Sequence, residues 1–128
     1  MNKICVAVVL ALLSSGAWAG WELVASGSGV RSYADKTTIR RSGTTVKMWA
    51  LIDHDNAQTV AGVLNFSTKS LDDYDCVGER WRTLHYLVFS DHMGAGEIVH
   101  TGKVTFEWAP ISPGSQGQTL WNIACGTP

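Results

Sequence analysis

Four histidines and eleven carboxylates are where chemistry would begin in this sequence. His85, His92 and His100 fall on or between two segments that read as neighbouring strands, and Asp91 adjoins His92. Such a set could ligate zinc, but no pair has the short helical or hairpin spacing by which zinc ligands converge. The expectation is ordinary surface or half-buried histidines, with pH-sensitive contacts as the functional alternative. Asp72, Asp73 and Asp75 loosely resemble a calcium loop. Leu71 and Tyr74 interleave them as on a strand, and the glycine and distal glutamate of an EF-hand are missing. They predict a solvated acidic edge that discourages strand-to-strand aggregation. Asp53, His54 and Asp55 point different ways at a strand end and predict a turn.

Nucleophilic chemistry has less support. No Gly-x-Ser-x-Gly elbow occurs, and Gly94-Ala95-Gly96 reads as a hairpin turn rather than a phosphate loop. No catalytic residue, metal ligand or cofactor is assigned, and the expectation is a non-enzyme. Trp21, Trp49, Trp81, Trp108 and Trp121 are mostly core candidates, because aromatic burial stabilises a small sheet. Trp49 and Trp81 sit among residues of mixed character and are the candidate anchors for a partner.

The elements that must position these groups begin after an export signal. Lys3 precedes a ten-residue apolar run, Ser14-Ser15-Gly16 breaks it, and Ala17-Trp18-Ala19 offers a small-x-small cleavage pattern. The run is too short to span a membrane, so residues 1–19 are read as a signal peptide and 20–128 as a single domain without a transmembrane anchor. Past Lys3, nine Lys and Arg face eleven Asp and Glu. That balance excludes the concentrated basic face that nucleic acid requires. Export places Cys76 and Cys125 in an oxidising compartment and predicts a disulfide between them.

Glycine-punctuated segments rich in β-branched and aromatic residues predict strands over about 21–25, 30–34, 44–53, 70–76, 80–90 and 97–106. Residues 44–53 carry large apolar groups on both faces and predict a central strand ended by Asp53-His54-Asp55-Asn56. Asp35 to Ile39 predicts a turn capped by the Asp35 carboxylate. Pro110 and Pro113 exclude a central strand. Ser115 to Gln118 forms a capping box for a short helix with Leu120 and Ala124, and Trp121 and Cys125, on adjoining stripes. The fold class expected is α+β, an antiparallel sheet of about six strands, mainly a meander, with one C-terminal helix packed on a face.

Laid out this way, the chain resembles the surface-adhesin protein E family of small exported bacterial proteins. The likeness runs through Trp21, Tyr33-Ala34-Asp35 with Ile39, and Val46-Lys47-Met48-Trp49 with Asp53. It continues through Ser67, Lys69, Tyr74-Asp75-Cys76, Arg82, Ser90, Met93-Gly94 and Gly96, then Trp108, Pro113-Gly114-Ser115 and Cys125. The resemblance implies a sheet with a packed helix and a disulfide, and attachment to host extracellular-matrix proteins. The chain departs from the lipid-anchored, surface-displayed pattern by lacking a lipid-attachment cysteine. The function expected is therefore a non-enzymatic, exported binding module of the cell envelope, in the periplasm or secreted, with a protein partner. Pairing of a sheet edge could give a homodimer. The alternative is a periplasmic small-molecule carrier or minor hydrolase, which a closed apolar pocket or a converging His–Asp cluster would favour.

Overall fold

The computed structural model describes residues 20–103 and 107–126. Residues 1–19, read above as a signal peptide, lie outside that range, as do 104–106 at the end of the last long strand expected. Seven strands and one helix follow one another: β1 (Glu22–Gly27), β2 (Val30–Ser42), β3 (Thr45–Val60), β4 (Val63–Asp75), β5 (Arg80–Phe89), β6 (Ile98–Lys103), β7 (Ala109–Pro110) and α1 (Gln116–Cys125). Strands β1 to β6 pair antiparallel in chain order, and β7 pairs with the start of β5. The expected six-stranded meander with a C-terminal helix is what forms.

Tight turns set this order. Ser28 and Gly29 (φ 54° and 77°) join β1 to β2, and Ala61 and Gly62 (φ 49° and 80°) join β3 to β4. Two successive residues at positive φ match the twist of a two-residue hairpin. The helix starts as expected, with Ser115 Oγ accepting the Gln118 amide at 3.1 Å. The Gln118 side chain instead accepts the Gly114 amide at 2.7 Å. Gly126 ends the helix in the left-handed region. Leu120, Trp121 and Ala124 pack on Ala34, Val46, Met48, Ala50 and Tyr74 to form the core. The Trp121 indole donates to the Asp75 carbonyl at 2.9 Å, and the Cys76–Cys125 disulfide ties the far end of the helix to the sheet.

Three sequence expectations are corrected. Residues 35–39 are not a reversal: β2 runs straight through them as a register shift between Asp35 and Arg40. Asp35 Oδ1 still accepts the Thr37 amide at 3.0 Å, and the Thr38 hydroxyl accepts the Trp49 amide at 3.0 Å where the ladder is interrupted. Nor does the run 53–56 end β3. The strand continues to Val60 through a second shift between Asp53 and Gln58. In β5 the alternation slips at the shift opposite Leu71 and Asp72, so Tyr86 joins Trp81 and Thr83 on one face. Finally, β4 is not a solvated acidic edge. It lies between β3 and β5, and Asp72, Asp73 and Asp75 are all buried.

Candidate functional site

The three buried acids of β4 divide by strand parity. Asp73 and Asp75 stand directly across from Arg82 and Arg80 on β5, and the ion pairs close at 3.1 and 2.7 Å. Two amides of the following turn, from Gly78 and Val77, also reach Asp75. The Gly78 bond first, then Arg80, hold its carboxyl below the usual range. Both guanidinium groups lie over the Trp108 ring, Arg82 at 4.2 Å and Arg80 at 5.0 Å.

Asp72 points the other way, with Ser70 and Tyr74, into a cavity of about 800 Å³ between the sheet and the start of α1. Its Oδ1 accepts the Thr83 hydroxyl at 2.8 Å, and its Oδ2 accepts those of Ser70 at 3.0 Å and Tyr74 at 3.4 Å. Burial pushes its pKa up to about 6, against the pull of those three hydroxyls. Burial, followed by the charge of Asp72, also lifts the Tyr74 phenol well above its ordinary value. Around this polar spot the walls are Val30, Ile52, Trp81, Tyr86 and Leu120. Tyr86 lies across the edge strand because Gly102 has no side chain; a Cβ there would stand 2.6 Å from the ring. The Tyr86 hydroxyl shares a hydrogen bond with His100 Nε2 at 3.1 Å. At the exposed lip, Gln116 donates to the Gly27 and Val30 carbonyls at 3.3 and 3.2 Å and accepts from Ser32.

A second cluster lies on the opposite face. Asp53 is buried and accepts Arg31 Nη2 at 2.7 Å, the Met93 amide at 2.9 Å and His92 Nδ1 at 3.2 Å. Burial opposes ionisation there, but the Met93 amide, Arg31 and His92 outweigh it and hold the carboxyl below its usual range. Ser67 Oγ donates to the Asp91 carbonyl at 2.6 Å and accepts the Gly94 amide at 2.9 Å. Gly94 (φ 69°) leaves room for Lys69, whose ammonium lies 5.0 Å from the Phe89 ring and 6.0 Å from that of Trp21. The 91–96 loop is thus pinned to β3 and β4. Although His92 and Asp53 do meet, the serine hydroxyl beside them is committed to backbone, so the arrangement holds a loop in place.

The structure also separates the sequence-assigned residues. Trp81 lines the cavity, whereas Trp49 projects from the other face, edge-on to His85 at 6.1 Å. Both are half-buried. His85, His92 and His100 do not converge, and no group of three metal-ligating side chains occurs among the described residues. Asp72 was missed as an inward group. Its signal was the spacing Ser70, Asp72, Tyr74, three polar groups on one face of a strand whose other face pairs with arginines.

A third feature is a projecting hairpin. β2 accompanies β3 only as far as His54, and β5 accompanies β4 only as far as Ser67. Residues 56–65 beyond those rows are a two-stranded arm without a charged side chain. Val63 and Leu64 on it are 43% and 64% exposed.

The sequence profile described as Surface-adhesin protein E matches residues 21–126. The chain belongs to the surface-adhesin protein E family. The fold is similar to that of Haemophilus influenzae protein E in crystal form II, with a TM-score of 0.63 at 13% identity over 84% of this chain and 88% of that one. A second structure of Haemophilus influenzae protein E gives 0.61 at 12% identity, covering 84% and 85% of the two chains. Protein E from non-typeable Haemophilus influenzae gives 0.54 at 13%, covering 83% and 73%. At these identities the likeness is one of fold. No curated protein sequence matches. The residues that carried the family resemblance now have a place: Trp21, Asp53, Ser67, Lys69, Met93 and Gly94 are the loop-pinning cluster, and Asp75, Arg82 and Trp108 belong to the ion-paired group on the face of β4 and β5 opposite Asp72.

Proposed function

We propose that this family member is an exported, non-enzymatic binding module of the bacterial cell envelope that engages a protein partner, and that the 56–65 arm makes the contact. The observation that carries this is the arm itself. An isolated two-stranded ribbon is marginal in water, and apolar surface held away from the core marks an interaction site. Here Val63 and Leu64 stand exposed on a ribbon with no charge to solvate it. Family membership supports an adhesin-like role, and host extracellular-matrix proteins are the partner class we propose for it. Trp49, beside His85 on the helix-free face, is a secondary contact, and β1, the free edge carrying exposed Leu23, is the edge through which two copies could pair. No helix among the described residues is long and apolar enough to cross a membrane.

The proposal is tested by protease shaving of intact and permeabilised cells, probed by immunoblot, together with binding of the purified 20–128 domain to immobilised matrix proteins. Digestion in intact cells with saturable matrix binding supports it. Protection until permeabilisation, with no binding to any matrix protein, overturns the host-adhesion reading.

A further inference from the structure

Four aspartates are buried among the described residues, and three of them face an arginine. Asp53 meets Arg31 at 2.7 Å, Asp73 meets Arg82 at 3.1 Å and Asp75 meets Arg80 at 2.7 Å. Asp72, with 3% of its surface exposed, forms no ion pair among the described residues and is held by hydroxyls alone. A buried charge is costly unless paired. Three hydroxyls lessen that cost without supplying a countercharge, and the carboxyl opens onto a cavity whose size falls within the range of small-molecule sites.

We propose that this cavity binds a small organic cation with an apolar body, its ammonium group pairing with the Asp72 carboxylate and its hydrocarbon lying against Ile52, Trp81 and Leu120. Trp81, Tyr74 and Tyr86 all line the cavity, and aromatic faces attract an ammonium group in addition to the carboxylate. An anionic ligand would meet Asp72 with like charge, and a neutral one would leave it unpaired. The titratable groups lining the cavity are Asp72 and Tyr74 on β4 and Tyr86 on β5, with His100 on β6 bonded to the Tyr86 hydroxyl. The lining residues from β1, β2, β3 and α1 carry no titratable side chain. With its pKa near 6, Asp72 is ionised at neutral pH and becomes largely protonated near pH 5, while an alkylammonium stays charged throughout.

The test is calorimetric titration of the disulfide-intact domain with n-octylammonium, n-octanol and octanoate, near pH 7.5 and near pH 5. The amine is expected to bind at least about tenfold more tightly than the alcohol at the higher pH, with octanoate weakest. A one-unit drop of pH below a carboxyl pKa leaves roughly a tenth of it ionised, so that preference falls about tenfold near pH 5. Asp72→Asn should bring amine affinity down to that of octanol without weakening octanol. Ile52→Trp, which fills the cavity, should weaken both ligands. Equal affinity for the three probes, no binding of any, an amine preference unmoved by pH, or its survival in Asp72→Asn overturns the proposal. The pH titration of the unsubstituted protein decides the matter even if a variant fails to fold. Loss of matrix binding would leave this result standing, because the arm and the cavity are separate sites.

Discussion

The Thr83 hydroxyl donates to Asp72 Oδ1 at 2.8 Å across the irregular step of the β4–β5 ladder. The shift in register there brings Thr83, rather than a neighbour of opposite parity, level with the buried carboxylate. It also turns Tyr86 into the same cavity as Trp81. One bulge therefore assembles the polar spot and the aromatic wall together, a common use of bulges beside binding sites.

Asp72 should weaken the fold in neutral solution. Its folded pKa of about 6 lies above the unfolded carboxyl value. A proton is held more tightly by the native state, so the stability from this group is complete below about pH 4 and is lost as pH rises through 6. Asp72→Asn should leave stability nearly unchanged near pH 4 and raise it by on the order of 2 kcal/mol near pH 8. Urea unfolding at the two pH values measures this. An equal effect at both, or a loss at pH 8, contradicts it.

Asp53 should act with the opposite sign. Its carboxyl is held below the usual range, so its contribution is present above the unfolded pKa and lost as pH falls through the folded one. Asp53→Asn should cost about 1–3 kcal/mol at neutral pH by leaving Arg31 and the Met93 amide poorly paired. Hydrogen exchange at Met93 and Gly94 should then rise ahead of exchange in the core strands. Unchanged protection in the 91–96 loop would show that Asp53 does not pin it.

Removing the disulfide should release the helix. Cys76 and Cys125 are 49 residues apart, a loop worth about 4 kcal/mol in the chain-entropy account. The pair Cys76→Ala and Cys125→Ala should lose much of that in denaturant unfolding. Burial of Trp121 should fall with it, because the indole bonds to the Asp75 carbonyl next to Cys76. A loss below about 1 kcal/mol would mean that core packing alone secures α1.

Much of this architecture was legible in the residues. The helix cap at Ser115 and the apolar parity of Val46, Met48 and Ala50 each lie on one chain segment, and local chemistry suffices for them. Burial of β4 was not legible. Three aspartates suggest solvent until the partner arginines and hydroxyls are placed across the strand, and that placement depends on register. The run 53–56 misled for a related reason. Polar residues that bulge and bind Arg31 look the same in sequence as residues that turn. Cavity and loop cluster alike are built from residues brought together by strand pairing, which spacing along the chain does not reveal.

Contact through the 56–65 arm is tested by comparing the unsubstituted domain with Val63→Asp/Leu64→Asp in biolayer interferometry against immobilised matrix proteins. Both positions are exposed and outside the core cluster, so thermal stability should change little, within about 0.5 kcal/mol. Saturable binding by the unsubstituted domain and at least about a tenfold loss in the variant are expected, because the substitutions place charge in an apolar contact. Equal binding by the two proteins would contradict it.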